Sequence, residues 1–380
     1  MKHRIYFTLT ALFILLNAGL LLPEEPVLKT VRIGLFQKIK GITLSGTARM
    51  HVVDVKTMKE EIFGGGTNYM VFNDAQSITI GKIKFGKEIK INPLDNGLVK
   101  INGSRYRGKI IIRVYDDSRI KVINQLFLED YLNGILALEI SPKWPYEALK
   151  TQAVISRTYA LKNMTRHEKE GFNLCALSHC QVYGGVDGES ALIKQAVLET
   201  KGMVLQYRGN LAQTVFFSTC GGHTEQVDHI WKWNSVPEYL KGRSCTYCTQ
   251  SARYRWTEFA PHKHLLAALQ MFGIEKPIKS IKVASRYASG RAAYIMIRHG
   301  GKTQKIKAHK FRMAAGPNII RSTNIQSITR SKIGFTFTGK GFGHGVGLCQ
   351  WGAKGMAEKG KTYEEILKYY YPGTQIKKIY

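Results

Sequence analysis

The run Leu128-Glu129-Asp130-Tyr131-Leu132-Asn133-Gly134-Ile135-Leu136-Ala137-Leu138-Glu139-Ile140-Ser141-Pro142-Lys143-Trp144-Pro145 marks a change of periodicity in the chain. From Glu129 onward Ile135, Leu136 and Leu138 follow a helical period, and Pro142 ends it. Pro145 then stands where a first-turn proline is tolerated, and Tyr146 to Lys162 is rich in strong helix formers. Leu149, Ala153, Ser156 and Ala160 form a narrow face of mostly small residues, which lets a second helix approach closely. The spacing predicts a helical hairpin joined by Ser141-Pro142-Lys143-Trp144-Pro145.

Upstream, from about Val31 to Ile123, the chain reads as short strands such as Val31–Phe36, Ala75–Ile80 and Lys109–Tyr115. Gly64-Gly65-Gly66 and Asn96-Gly97 mark turns, and Arg113 to Val122 reads as a hairpin bent at Asp116-Asp117-Ser118. Downstream, Ala191–Thr200 reads as a helix and Ile278–Lys307 as a hairpin. Thr336–Gly347 runs into a glycine-rich loop, and Thr362–Tyr370 reads as a closing helix. The expected fold class is α+β: a helical hairpin packed on mixed or antiparallel sheets around a cleft, with a β-rich N-terminal region. Residues 1–27 read as a leader plus linker, 28–110 as the β-rich region and 111–380 as the main domain.

The leader carries Lys2 and Arg4 before an uncharged run from Ile5 to Leu22, the pattern of a secretory signal or a single anchor. Asn17-Ala18-Gly19 offers a weak cleavage site, and Pro23-Glu24-Glu25-Pro26 a linker. The expectation is an exported, periplasmic or extracytoplasmic protein that meets a membrane only through this segment. With 44% hydrophobic and 22% charged residues the composition is globular. Lys and Arg number 56 against 27 Asp and Glu, a net charge of +29 that draws polyanions. Nucleic acid, anionic lipid and acidic wall polymer all fit that charge, and export argues against nucleic acid as a partner.

Glu139 is the first candidate for chemistry. A carboxyl group among Leu136, Leu138 and Ile140 is poorly solvated, which raises its pKa toward the range a general acid requires. The helix C-terminus pushes the same way. A surface glutamate, or one paired with a nearby arginine, fits the same pattern.

Three motifs carry a resemblance. They are the stretch from Leu128 through Glu139-Ile140-Ser141-Pro142-Lys143-Trp144-Pro145 to Arg157-Thr158-Tyr159-Ala160; Gly341-Phe342-Gly343-His344-Gly345-Val346-Gly347 with Gln350-Trp351-Gly352-Ala353; and Tyr369-Tyr370-Tyr371-Pro372-Gly373-Thr374. Over roughly residues 110–380 the chain resembles the SpoIID/LytB family. That family includes peptidoglycan lytic transglycosylases acting on glycan strands that lack stem peptides, and members described as enhancers of an amidase.

The resemblance implies that Glu139 is the catalytic acid. It also implies that Gln152, Arg157, Tyr159, Ser218, Thr219, His344 and Gln350 contact substrate, Gln152 or Arg157 by fixing sugar hydroxyls or the lactyl carboxylate. For Gln152, Arg157 and Tyr159 packing or a local ion pair is the alternative. For His344 the alternative is a turn whose glycines serve only positive φ. Cys349 and Trp351 replace the serine and tyrosine more usual in the family.

One carboxylate suffices for such a reaction. Ordinary glycosidases use two, but the muramic acid O6 hydroxyl can attack its own anomeric carbon, so proximity replaces a protein nucleophile. Glu147 and Asp130 are candidates for a second carboxylate only if water is the nucleophile, and otherwise read as solvated or structural. Peptidoglycan glycan strands are the expected partner. The alternative is a non-catalytic wall-binding protein that activates a cell-wall amidase.

Cys175-x4-Cys180 and Cys245-x2-Cys248 are close thiol pairs, a common arrangement for tetrahedral zinc. The resemblance associates zinc with the segment matching Cys175 to Cys180. The expected cofactor is a structural Zn2+ held by Cys175, Cys180, Cys245 and Cys248, with His179 in reserve. Disulfides are the competing reading in an exported chain. Cys220 and Cys349 read as buried single thiols.

Overall fold

The computed structural model describes residues 29–380, so the expected leader lies outside the described residues. Among the described residues no helix is long and apolar enough to cross a membrane.

The chain is α+β, and most of its strand pairs are antiparallel. A seven-stranded sheet has the order Leu174–Cys175, Thr30–Ile39, Ile120–Phe127, Lys109–Val114, Glu88–Pro93, Met50–Asp54, Glu60–Phe63. The first of these pairs with Thr30–Ile39 in parallel. Side chains of Lys109–Val114 alternate as a strand requires. Ile110 and Ile112 enter the main core, whereas Ile111 turns to the other face and packs with Ile123, Phe172 and Cys175. Residue 110 lies inside this strand, so the β-rich N-terminal region and the motif-bearing region share one sheet and one core. Each fully buried Ile or Leu of that core contributes about 1.5–3 kcal/mol. A six-stranded sheet built around Gly41–Gly46 and Tyr69–Asp74 closes the core from the other side.

The helices among the described residues are α1 (Leu128–Glu139), α2 (Tyr146–Lys162), α3 (Ala191–Glu199), α4 (His262–Leu269), α5 (Ala308–Ala315), α6 (Gln350–Glu358) and α7 (Tyr363–Tyr370). In α1, Leu128, Tyr131, Leu132, Ile135 and Leu136 are buried, the spacing of one helical face. The expected hairpin connection is seen between α1 and α2, with Pro145 as the N-cap of α2 rather than its first turn.

Helix α2 lies between two cores. Leu149, Ala153 and Ala160 belong to the main one, and Val154 and Ile155 to a second built with α6 and α7. From Ala148 to Ala160 every residue but Lys150 is buried. A third core unites α4, α5 and the strands Ile278–Arg286, Ala292–His299 and Lys302–Lys307. This segment is a three-stranded meander where a hairpin was expected.

Candidate active site at the end of the first helix

Glu139 is the last residue of α1, partly buried between exposed Leu138 and buried Ile140. The helix stops there because Ile140 turns extended, its N–H still donating to Leu136 O, before Pro142. The connection is held by Trp144 N–H to Ser141 O (3.1 Å) and Lys143 N–H to Ser141 Oγ (3.3 Å). This places the Glu139 carboxyl in a groove of about 360 Å³. Trp144, Ser218, Ser251, Arg253, Gln350 and Trp351 are among the residues that line it.

Burial raises the Glu139 pKa above the ordinary carboxyl value, and a hydrogen bond from the Val182 N–H (3.4 Å) offsets part of the rise. The Gln350 Nε2 donates to the Glu139 carbonyl (3.2 Å), tying the start of α6 to the end of α1. Trp144 and Trp351 meet edge to face at 5.3 Å. The hydroxyls of the lining residues Ser218 and Ser251 are linked through that of buried Thr219, with spacings of 3.3 and 2.9 Å. The Arg253 guanidinium lies over the Phe342 ring at 4.4 Å.

Five of the residues expected to contact substrate lie elsewhere. Arg157 is fully buried: its Nε and Nη2 reach Glu129 (2.9 and 2.7 Å), and it donates to the carbonyls of Met203 (3.1 Å) and Val197 (3.2 Å). Gln152 is enclosed and donates to Ser156 Oγ (3.1 Å). The Tyr159 hydroxyl accepts from Arg166 Nη1 (2.8 Å), and burial pushes its pKa up to about 12. The reason is common to the three: α2 is packed on all sides, so its polar residues serve the interior. Thr219 is also buried, behind Ser218.

His344 packs against Phe217 and Trp231, with ring centroids 5.2 and 4.9 Å away. Its Nε2–H donates to Phe216 O (2.9 Å) and its Nδ1 accepts from Val346 N–H (3.1 Å). Both ring nitrogens are thus engaged by backbone, and burial pulls the pKa down to about 3. Gly341, Gly343, Gly345 and Gly347 all have positive φ, and a Cβ at Gly347 would stand 2.0 Å from Val215 O. The loop's glycines therefore serve backbone shape and close packing.

Of the expected site residues, Glu139, Ser218 and Gln350 share the groove. Sequence reasoning missed Val182, Ser251 and Arg253. Trp144 and Trp351 stood in the motifs, and their aromatic character was the available signal.

The cysteines need regrouping. Cys175 and Cys180 converge with His167 and His179, whereas Cys245 and Cys248 converge with Cys220 and Cys349; within each set the ligand atoms lie within 4.8 Å of one another. The expected single site is therefore two clusters, and Cys220 and Cys349 are not isolated thiols. The physical cause is that Leu174–Cys175 is fixed at the edge of the large sheet, while Cys349 is brought to Cys220 by the parallel pairing of Phe216–Phe217 with Leu348–Cys349.

Two thiols and two imidazoles at such spacing suit a tetrahedral zinc ion. The Cys180 Sγ lies 3.4 Å from His167 Nε2, and the His179 Nδ1 lies 3.7 Å from both sulfurs. Two residues after Cys180 comes the Val182 amide that meets Glu139.

Residues 116–207 match the family described as stage II sporulation protein, and residues 224–347 match a domain of unknown function, DUF8618. An uncharacterized protein of Brachyspira hyodysenteriae is 35% identical over 322 residues, covering 84% of this chain and 85% of the relative. The amidase enhancer of Bacillus subtilis is 28% identical over 366 residues, 82% of this chain but 50% of the relative. The stage II sporulation protein D of Bacillus subtilis is 32% identical over 286 residues, 70% of this chain and 79% of the relative. Matched along these lengths and in these motifs, the chain belongs to the stage II sporulation protein D (SpoIID) family.

Proposed function

We propose that the protein is an exported peptidoglycan lytic transglycosylase that cleaves MurNAc–GlcNAc bonds of glycan strands freed of stem peptides, with Glu139 as general acid and then base. The observation that carries this reading is a single carboxyl group in a groove, its pKa raised by burial and one backbone amide aimed at it.

Protonated Glu139 gives its proton to the glycosidic oxygen as the bond to the anomeric carbon breaks. The muramic O6 hydroxyl attacks that carbon, and the Glu139 carboxylate accepts the O6 proton, which restores the acid and leaves a 1,6-anhydro end. The Val182 N–H hydrogen-bonds the carboxylate while it is charged. Trp144 and Trp351 offer ring faces and edges to the sugars. Arg253 offers a guanidinium to a lactyl carboxylate exposed once the peptide is gone. The net charge of +29 suits such a strand.

His167, Cys175, His179 and Cys180 would hold a zinc ion whose contribution is structural, a cross-link in the segment that carries Val182.

The test is mass analysis of peptide-stripped glycan strands digested with wild type and Glu139→Gln. The expected result is 1,6-anhydro ends from wild type and a loss of at least 100-fold in the variant, the scale of general acid catalysis. Equal cleavage by both proteins would refute the role of Glu139. The similarity to an amidase enhancer supports a second reading, a wall-binding protein that activates an amidase. It is favoured if no anhydro ends form but amidase release of stem peptides rises on addition of the protein.

A further inference from the structure

We propose that Cys220, Cys245, Cys248 and Cys349 bind a second metal ion, a zinc held by four thiolates in a closed structural site. All four residues are buried with essentially no exposure. Their sulfurs converge on one centre, every pair within 4.8 Å and Cys220 to Cys248 at 3.3 Å. Tetrahedral zinc with Zn–S bonds of about 2.3 Å sets its sulfurs roughly 3.8 Å apart, inside that range. Four sulfurs around one point is the arrangement of a metal site, whereas disulfides require them to turn toward each other in separate pairs.

Backbone and hydroxyl donors face the sulfurs, beside the carbonyls of Ser218 and Cys245. The Cys349 Sγ accepts from the backbone N–H groups of Cys220 (3.2 Å) and Gly352 (3.3 Å), and it caps the N-terminus of α6, where a negative charge is stabilised. The Gly222 N–H donates to the Cys220 Sγ (3.4 Å), and the Tyr370 hydroxyl lies 3.2 Å from the Cys245 Sγ. Such donors around the ligands are the usual outer shell of a thiolate site.

A second observation is independent of the sulfurs' own geometry. Arg291 is almost completely enclosed, at 1% exposure, and its Nη2 donates to the Cys220 carbonyl at 2.8 Å. Its Nε and Nη1 have no hydrogen-bond partner among the described residues. Four thiolates around Zn2+ leave a net charge of −2, and a buried cation against the site offsets part of it.

The site explains how the groove wall is held. Ser218 lies two residues before Cys220, Ser251 three after Cys248, and Gln350 and Trp351 directly follow Cys349. All four line the groove that receives Glu139. Cys220 and Cys349 are 129 residues apart in sequence, and one ion would fasten both loops to the same point.

The test uses the full-length wild-type protein and needs no variant to fold. Metal analysis is expected to give two zinc ions per chain, and zinc X-ray absorption an average shell of three sulfurs and one nitrogen, the mean of one four-thiolate and one two-thiolate, two-imidazole site. Cys248→Ser is then expected to leave one zinc with two sulfurs and two nitrogens, and His179→Ala to leave one zinc with four sulfurs. One zinc per chain in wild type with a two-sulfur shell would overturn the proposal, as would disulfides mapped among Cys220, Cys245, Cys248 and Cys349, or iron in place of zinc.

Discussion

Replacing Arg157 by leucine leaves the Glu129 carboxylate without the guanidinium that faces it. The wild-type side chain is wholly buried and makes four hydrogen bonds, two to Glu129 and one each to Met203 O and Val197 O. Glu129 keeps 18% of its side chain exposed and accepts from the Tyr380 hydroxyl, so some solvation remains to it. Breaking a buried pair from one side costs about 3–5 kcal/mol, and the exposure of Glu129 places the expected loss toward 3 kcal/mol. Arg157→Lys keeps the charge but not the two-pronged geometry, so its loss should be intermediate. Adding Glu129→Gln to Arg157→Leu removes the stranded charge, and the double variant should lose less than the two single losses combined. Urea unfolding followed by tryptophan fluorescence measures all four. A loss below about 1 kcal/mol for Arg157→Leu, with glycan binding weakened instead, would refute the structural assignment and return this residue to the substrate.

Two further outcomes follow from titration. The Glu139 pKa is raised in the folded protein, so between its unfolded and folded values the native state binds more protons; stability therefore falls as pH rises through that window, and Glu139→Gln should flatten the slope and be more stable than wild type at pH 8. Urea titrations at pH 5 and pH 8 check this, and a wild-type slope unchanged by the substitution would count against the buried carboxyl. His344 has the opposite sign: its pKa falls from 6.5 to about 3, so the unfolded state binds the extra proton and stability is lost as pH drops below the unfolded value, by about 3 kcal/mol between pH 8 and pH 4. Nitrogen NMR of the ring should show a neutral imidazole protonated at Nε2 down to pH 5, and an imidazolium at pH 6 would contradict the packing described.

What the sequence made legible is what local rules govern. Pro142 and Pro145 bracket a connection, and the helices on either side follow from periodicity. Lys109–Tyr115 and Thr362–Tyr370 come within a residue of the observed elements, Thr362 being the N-cap of a capping box. Ala75–Ile80 begins two residues late, as Ser77–Ile80, because Ala75 and Gln76 take positive φ in the preceding turn. Of the candidate groove, Glu139 was legible, where a charge interrupts an apolar run. The packing of α2 was not legible, because a helix packed between two cores has no solvent face, and Gln152, Arg157 and Tyr159 then look like available polar groups. His167, Cys220 and Cys349 escaped as members of the two clusters for another reason. His167 precedes Cys175 by eight residues across a turn, and Cys220 meets Cys349 only through a parallel strand pair, so no short spacing records either neighbour.

The groove draws its walls from parts of the chain with no direct covalent reason to stay together, and the two clusters sit where that problem is greatest. Glu139 comes from α1, whose position is set by the main core. The amide that meets it belongs to a segment with almost no regular structure between Cys175 and Gly185, whose Cys175, His179 and Cys180 converge with His167. The facing residues come from the stretch between Phe216–Phe217 and Cys220, the loop after Cys248, and the junction of Leu348–Cys349 with α6, which again converge on thiols. Loops of this kind open at low free-energy cost unless something cross-links them. A carboxyl whose raised pKa depends on exclusion of water needs both walls closed. If both clusters hold zinc as proposed, loss of metal from either should therefore act on Glu139 without touching it. The apparent pKa of the acid would move back toward the ordinary carboxyl value, so the activity–pH profile would shift to lower pH. A shift of the same sign from both clusters is the outcome expected if each one holds a wall of the same groove.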